Sequence, residues 1–455
     1  MFSRVRYFFS DLGHWVRLHL PGLPHLRRPG RRTAIAAGAV LLIAVLAGAG
    51  YLLYDKLNDE EEPPPAAAPP AVIREVHSSD EDTGDLGFPA FATKNTTRIA
   101  GADVVADAAA VALATHPSTG GLEGPAAVSL VDAGDWPSAV AASSLTAAPV
   151  GAPLLFTEGG EVPELTASAL RALAPKGSAD TDDKQAFRIG DAAGVAGLRT
   201  EDVKGGSPAE VAAAIDELRG KLTGQPDAVI VAGADEPAFA MPAAGWAGRS
   251  GDPVLFTLRK TVPDATLDAL KSHKDVPVYV LGPESAVAKE AFEKIDDAAG
   301  SVTRIAGEDP VENAVEFARY SDDGFGWNMN DPGHGFVLAS ADRPADAGAA
   351  APLSASGTWG PLVLTDDQAT LPDALRGYLL DLKPGYEDDP TRAVYNHVWV
   401  IGDQDAISVA EQAQVDELAE VVEVSSGTGS DVLGPPPGTP EPESSGPSDQ
   451  KQSKP

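Results

Sequence analysis

Three short stretches of the chain are versions of one another. Residues 151–157 read GAPLLFT, residues 251–257 read GDPVLFT and residues 359–365 read WGPLVLT. Other prolines keep almost constant distances from these stretches, upstream at Pro137, Pro237 and Pro344 and downstream at Pro163, Pro263 and Pro372. The repeated stretch, the upstream proline and the downstream proline keep nearly the same spacing in each case. The sequence therefore indicates one unit of about 100 residues that occurs three times.

Each copy alternates short apolar runs with amphipathic or alanine-rich segments. In the third copy we predict strands at 335–340, 361–365 and 397–402, with helices at 344–356 and 371–382. Strands that are continuously apolar and separated by helices are typical of parallel sheets covered on both faces. We therefore predict an α/β fold of three tandem Rossmann-like, doubly wound parallel-sheet modules, at 97–196, 197–300 and 301–424. We expect a pseudo-threefold arrangement in which the first strands approach a shared axis.

The amino-terminal region has the pattern of a membrane anchor. Residues 1–32 contain seven arginines and one acid, and the 22 residues from 33 to 54 carry no charge. That length is sufficient for a transmembrane helix, and the flanking arginines predict a cytoplasmic basic arm with the remainder of the chain extracytoplasmic, in the cell-wall space. A cleaved signal peptide is the alternative interpretation.

Two further segments have compositions that do not favour a folded core. Residues 55–96 are rich in acids and prolines and are predicted to form a disordered stalk between the membrane and the body. Residues 425–455 are rich in Gly, Pro and Ser and are predicted to be a disordered tail.

Composition limits the classes of function. The chain has 34 Lys and Arg against 67 Asp and Glu, a formal charge of −33, which argues against nucleic-acid binding. It has no cysteine, which excludes disulfides and thiolate metal sites. We find no zinc-ligand spacing, nucleophile elbow or Walker loop, so we predict a protein that is not an enzyme and has no cofactor. An envelope hydrolase or transferase is kept as an alternative.

Several motifs resemble a known family. The sequence TRIAG occurs at 97–101 and at 303–307, PLLFT at 153–157 and VWVIG at 398–402, and together these resemble the bacterial cell-wall-binding repeat of type 2. The resemblance implies three repeats packed as a trimer-like disc that binds an anionic polymer of the cell wall. In that family a Pro-Ile-Leu-Leu motif is implicated in binding. Its counterparts here are Pro153, Leu154, Leu155, Pro253, Val254, Leu255, Pro361, Leu362 and Val363. From the residues alone, we favour core strands over a contact surface for these stretches.

Two sets of charged residues are further candidates for polymer binding. Arg98, Arg199 and Arg304 each precede one of the repeated stretches, and at a shared axis they would present forked donors to phosphate or carboxylate. Ion pairing between modules is the equally weighted alternative. Asp135, Asp235 and Asp342 each stand two residues before a helix-starting proline. We expect them to be helix caps, and at the carboxyl ends of parallel strands they could also hold a bridging divalent cation.

These observations predict a non-catalytic, single-pass membrane protein whose three repeats bind or organise an anionic wall polymer or peptidoglycan. Its predicted partners are that polymer and the lipid bilayer, through residues 33–54. An extracytoplasmic protein–protein scaffold on the same fold is the alternative. The third copy alone has a loop at 321–335, which we expect to be a polar surface loop, with calcium binding as a second interpretation.

Overall fold

The folded body is mixed α/β with parallel sheets, as predicted. The computed structural model describes residues 91–99, 101–117 and 124–424. The predicted basic arm, the membrane segment 33–54, the stalk up to residue 90 and the tail lie outside the described residues. Within the described ranges, no helix combines the length and apolar character that crossing a bilayer requires.

Strands and helices alternate along the chain. The first part contains β1 (Phe91–Ala92), β2 (Thr96–Ile99), α1 (Val104–Thr115), β3 (Val128–Asp132), α2 (Trp136–Ala142), β4 (Leu154–Thr157), α3 (Glu164–Leu173) and β5 (Ala186–Ile189). The middle part contains β6 (Thr200–Val203), α4 (Pro208–Thr223), β7 (Val229–Gly233), α5 (Pro237–Ser250), β8 (Val254–Thr257), α6 (Asp264–Ser272), β9 (Val278–Leu281) and α7 (Lys289–Ala299). The last part contains β10 (Val302–Ile305), α8 (Pro310–Arg319), β11 (Gly335–Ser340), α9 (Ala345–Ala355), β12 (Leu362–Thr365), α10 (Asp373–Asp381), β13 (Gly385–Tyr386), β14 (His397–Ile401), α11 (Val409–Ala419) and β15 (Val422–Glu423).

Three sheets share one strand order. The orders are β4-β3-β5-β6, β8-β7-β9-β10 and β12-β11-β14-β2, with the short β1 added antiparallel to β2. The fourth strand of the first two sheets comes from the next copy along the chain, and β2 from the start of the body completes the third sheet beside β14. The sheets are therefore offset by one strand from the sequence repeats, and the offset closes the described body into a ring.

The centre of the body consists of helices rather than strands. The alanine-rich helices α2, α5 and α9 pack against one another. A Cβ atom on Gly348 would lie 2.5 Å from the carbonyl oxygen of Ala139, and one on Gly248 would lie 2.8 Å from that of Ala351. Larger side chains would hold these backbones apart. The prediction that the first strands share the axis is wrong, because β2, β6 and β10 lie at the far side of three different sheets.

Candidate functional site

Arg98 and Arg304 each bind main-chain oxygens in the turn that follows the neighbouring strand of their own sheet. Arg98 is only 3% exposed, and its guanidinium donates to the carbonyl oxygens of Gly402 at 2.9 Å and Ile407 at 2.7 Å. Arg304 donates in the same way to Gly282 at 2.6 Å and Val287 at 2.9 Å. Each arginine therefore fixes the turn that follows the neighbouring strand. Burial lowers the pKa of Arg98 to about 10.

Arg199 is not the counterpart of these two arginines. In the sheet register, Arg98 lies opposite Val400, and the corresponding position in β6 is Asp202, opposite Arg188. Asp202 accepts two hydrogen bonds from Arg188, at 2.7 and 2.6 Å. Arg199 instead lies before β6 and donates to the carbonyl oxygens of residues 176 and 183. The predicted equivalence is wrong, and the three arginines donate to three separate segments rather than to one centre.

The Pro-Leu-Leu stretches form strands β4, β8 and β12, each at one edge of a sheet. Their leading prolines are buried and their next two side chains are at most 1% exposed. The residues involved are Pro153, Leu154, Leu155, Pro253, Val254, Leu255, Pro361, Leu362 and Val363. In this conformation they lie in the core, between the central helices on one side and outer helices such as α1 and α3 on the other.

The three aspartates have different surroundings. Asp135 caps α2 by accepting from the backbone N–H of Ser138 at 3.2 Å, as predicted. Asp235 accepts from the backbone N–H of Arg259 at 2.8 Å, whereas the cap position of α9, the helix that follows Asp342, is Pro344. Over the described ranges, no group of three or more His, Cys, Asp or Glu side chains is arranged to hold a metal ion.

A cavity of about 530 Å³ lies between the second and third copies. Its walls include Trp246 and Arg249 from the last turns of α5, Trp327 from the loop between α8 and β11, and Trp359 from the turn before β12. It lies at the amino ends of β8 and β12. At the opposite, carboxyl ends of the strands lie Asp135, Asp235 and Asp342, which the sequence predicts to be helix caps that could also hold a cation. A cavity of this volume is in the range that ligand sites occupy.

The loop that forms one wall is anchored by aromatic packing. Phe325 stacks on Tyr279 with ring centroids 3.7 Å apart, and it also packs against Trp246 at 4.9 Å. The carboxylate of Asp322 accepts from the hydroxyls of Tyr279 and Tyr320, each at 3.2 Å. The loop predicted to be a polar surface segment is thus partly buried in the core. Its packing fixes the cavity wall before any ligand arrives.

Arg249 is the charged group at this cavity. Its guanidinium lies 3.5 Å above the ring of Trp359, and Trp359 in turn stacks near Trp327 with centroids 6.4 Å apart. Within the described part of the chain, no hydrogen bond or ion pair occupies the N–H groups of Arg249. Burial lowers the pKa of Arg249 from its ordinary value. The arrangement leaves a partly desolvated cation whose donors are free.

Trp327 contributes a second unused donor. Its side chain is 6% exposed, and its indole Nε1 has no hydrogen-bond partner among the described residues. A buried donor without an acceptor is costly and uncommon. The sequence signal for this site was the loop that occurs in the third copy alone, together with a tryptophan that replaces the residue two places before the repeated proline.

The junction between the third and first copies holds a buried charge cluster. Arg343, just before α9, forms ion pairs with Asp107 of α1 and, at 2.7 Å, with Asp346. Both carboxylates are fully buried. Burial raises the pKa of Asp346 to about 6 and raises that of Asp107 well above its ordinary value. This cluster joins the two ends of the body, and it is closed to solvent rather than open to a ligand.

Comparisons with known proteins agree with this architecture. Residues 304–410, which include β11, β12 and β14, match the family model described as Cell wall binding domain 2 (CWB2). Cwp6 from Clostridium difficile is similar in structure, with a TM-score of 0.56 and 18% identity over 72% of this chain. Cwp8 from Clostridium difficile has a TM-score of 0.56 and 19% identity over 72% of this chain.

The aligned region is 48% of the Cwp6 chain and 52% of the Cwp8 chain, so this protein spans about half the length of the solved structures it matches. No curated protein matches. The description of the matched domain names cell-wall binding and no catalytic activity. The third copy is thus similar to cell wall binding domain 2, and the described body resembles Cwp6 and Cwp8 in fold.

Proposed function

We propose that this protein is a non-catalytic cell-surface protein whose three-sheet body binds a polymer of the cell wall. The observation that carries the proposal is the match of residues 304–410 to a cell-wall-binding domain. The shared strand order of the three sheets supports it, because the first two sheets have the architecture of the matched third.

The polymer in this proposal is anionic, either a wall polysaccharide or a phosphate-bearing chain, with peptidoglycan as the alternative. A chain of charge −33 repels a polyanion, so binding requires local positive charge. Arg249 supplies such a charge at an open cavity, whereas Arg98 and Arg304 already bind main-chain oxygens. Divalent cations bridging acidic side chains to the polymer are a second source.

Co-sedimentation of the full-length protein, purified in mild detergent, with cell walls of its own organism tests this proposal. We expect binding to intact walls and at least tenfold weaker binding to walls stripped of their anionic polymers. EDTA should change little, because guanidinium–oxyanion pairing needs no metal. Release by EDTA with recovery in magnesium would favour the cation bridge instead. Absence of binding to either wall would contradict the proposal and favour a protein–protein scaffold.

We also propose that residues 33–54 anchor the body to the cell membrane, because this stretch is uncharged and follows an arginine-rich arm. Protease added to intact spheroplasts should then remove the body and leave a membrane-bound fragment of fewer than about 100 residues. Recovery of a soluble mature protein that begins near residue 50 would contradict anchoring and support a cleaved signal peptide.

A further inference from the structure

The stacked position of Arg249 determines which ligand chemistry the cavity can take. Stacking on Trp359 uses the face of the guanidinium and leaves its N–H groups, which lie in the plane of the group, directed away from the ring. These in-plane donors match the oxygens of a carboxylate or a phosphate. No described residue accepts from them, and Arg249 is exposed, so these donors are open to water or to a ligand oxyanion that replaces it.

The remaining walls combine three indole rings with Ala355, Ser250 and the backbone of Gly324 and Gly326. Trp359 is 36% exposed, and Trp246 and Trp327 lie deeper at 7% and 6%. Rigid aromatic walls around a few polar groups suit a flat ligand with one apolar face and one polar group. A sugar ring that carries an acidic group has this composition: its C–H face is apolar and its oxyanion is charged.

We infer that the cavity formed by Trp246, Arg249, Trp327 and Trp359 binds one acidic sugar residue. Its carboxylate or phosphate lies on Arg249, and its ring packs against the indole of Trp359. The assignment of that sugar to a wall polymer rests on the proposed function, whereas the site itself rests on the cavity.

The indole N–H of Trp327 extends the same site. Nε1 is screened from solvent and lacks a partner, and the ring of Trp359 stacks nearby. Trp359 follows Gly357, which has φ of +62°, and precedes Gly360, so the turn that carries it contains two glycines. A ring hydroxyl or carboxylate oxygen that reaches Nε1 would satisfy it.

The equivalent junction of the first and second copies is closed by an arginine. At the end of the central helix of the first copy, Arg219 of α4 donates to three main-chain oxygens of residues 144–148, at 2.9–3.1 Å. Gly205 and Gly307 occupy equivalent positions in the second and third copies. Arg219 lies 14 residues after Gly205, and the residue 14 after Gly307 is Ser321, where α8 has already ended and the aromatic loop begins. The loss of that arginine and the inserted loop together account for the cavity.

Calorimetric titration of the full-length protein tests the inference. Trigalacturonic acid and glucose 1-phosphate are the acidic probes, and maltotriose and glucose are their neutral counterparts. We expect at least one acidic probe to bind about tenfold or more tightly than its neutral counterpart, with one site per chain. Which acidic probe binds distinguishes a carboxylate-bearing from a phosphate-bearing sugar.

Three variants and two controls locate the binding. Arg249→Gln should weaken it about tenfold or more, and Trp359→Ala about three- to tenfold. Trp327→Phe removes the unpaired N–H together with part of the buried indole ring, so it should bind several-fold more weakly, and urea unfolding measures the stability lost with the smaller ring. The controls are Arg259→Gln and Leu258→Ala, both exposed at the opposite end of β8, and they should bind like the wild type.

Equal binding of acidic and neutral probes, or unchanged affinity in both Arg249→Gln and Trp359→Ala, would overturn the inference. The same variants in wall co-sedimentation separate it from the proposed function. If the wild type binds walls and these variants bind them equally, the proposed function stands and the cavity is not the site. If acidic probes bind through Arg249 while walls are not bound, the site stands and the proposed function fails.

Discussion

Replacement of Arg343 by methionine tests how the two ends of the body are held together. The guanidinium lies between two fully buried carboxylates, Asp107 of the first copy and Asp346 of the third. Without it, one further carboxyl must be held in its protonated form. The carboxyl of Asp346 has a pKa of about 6 in the folded wild type, so keeping it protonated at pH 7 costs about 1.4 kcal/mol, because each pH unit corresponds to about 1.4 kcal/mol. Loss of the ion pair and its hydrogen bonds adds to this, for a total of about 3–5 kcal/mol.

The same calculation predicts how this cost depends on pH. At pH 5, below the pKa of about 6, the carboxyl of Asp346 is already largely protonated in the folded wild type, so the destabilisation should be about 1 kcal/mol smaller than at pH 7. Urea unfolding of the full-length protein, followed by tryptophan fluorescence at both pH values, measures the change. Arg188→Met is the matched control, because its partner Asp202 is on the surface and its loss should cost under about 1 kcal/mol. Equal costs for the two variants, or a cost for Arg343→Met that is the same at both pH values, would refute this reasoning.

Two further predictions concern the third copy and the centre of the body. Burial raises the pKa of Glu411 to about 7, so the folded state retains a proton that the unfolded state releases near pH 4.5, and stability should fall by roughly 3 kcal/mol as the pH rises from 4.5 to 8. Glu411→Gln should flatten this part of the stability–pH curve, and an unchanged slope would contradict the assignment. Gly348→Ala should destabilise the protein by about 1–3 kcal/mol, since its Cβ would meet Ala139, whereas Gly220→Ala in α4 meets open space and should be neutral or stabilising by up to about 1 kcal/mol. Equal melting temperatures for the two glycine variants would show that the central helices can separate at little cost.

The fold class was predictable because local patterns dictate it. Continuous apolar runs separated by helical segments predicted strands such as β11, β12 and β14 within one or two residues. The exchange of strands between copies was not predictable from the repeat. A strand such as β2 has the same apolar pattern whichever sheet it joins, and its partner β14 is about 300 residues away. Only the tertiary structure decides that pairing.

The candidate site was less accessible to sequence reasoning. Recurrence led to Arg98, Arg199 and Arg304, but a residue can recur for structural reasons, and Arg98 and Arg304 bind the turns of their own sheets. Arg199 was aligned with Arg98 by its distance from the repeated proline. That distance varies between copies, and the true counterpart of Arg98, Asp202, lies three residues further along. The glycine at position 205 was the better guide, since Gly205 follows Asp202 as Gly101 follows Arg98. The cavity was missed because it is formed by what differs between copies.

Titration of the full-length protein with soluble anionic polymer released from its own cell walls is the most direct test of the account. The polymer fragments must be so short that each can bind only one protein chain. We predict saturable binding with one polymer segment per chain, lost in Arg249→Gln and retained in Arg259→Gln. A stoichiometry of three per chain would instead indicate equivalent sites on the three copies. If the titration yields only the heat of dilution, the protein does not bind the polymer, and the claim that the body binds a wall polymer is contradicted.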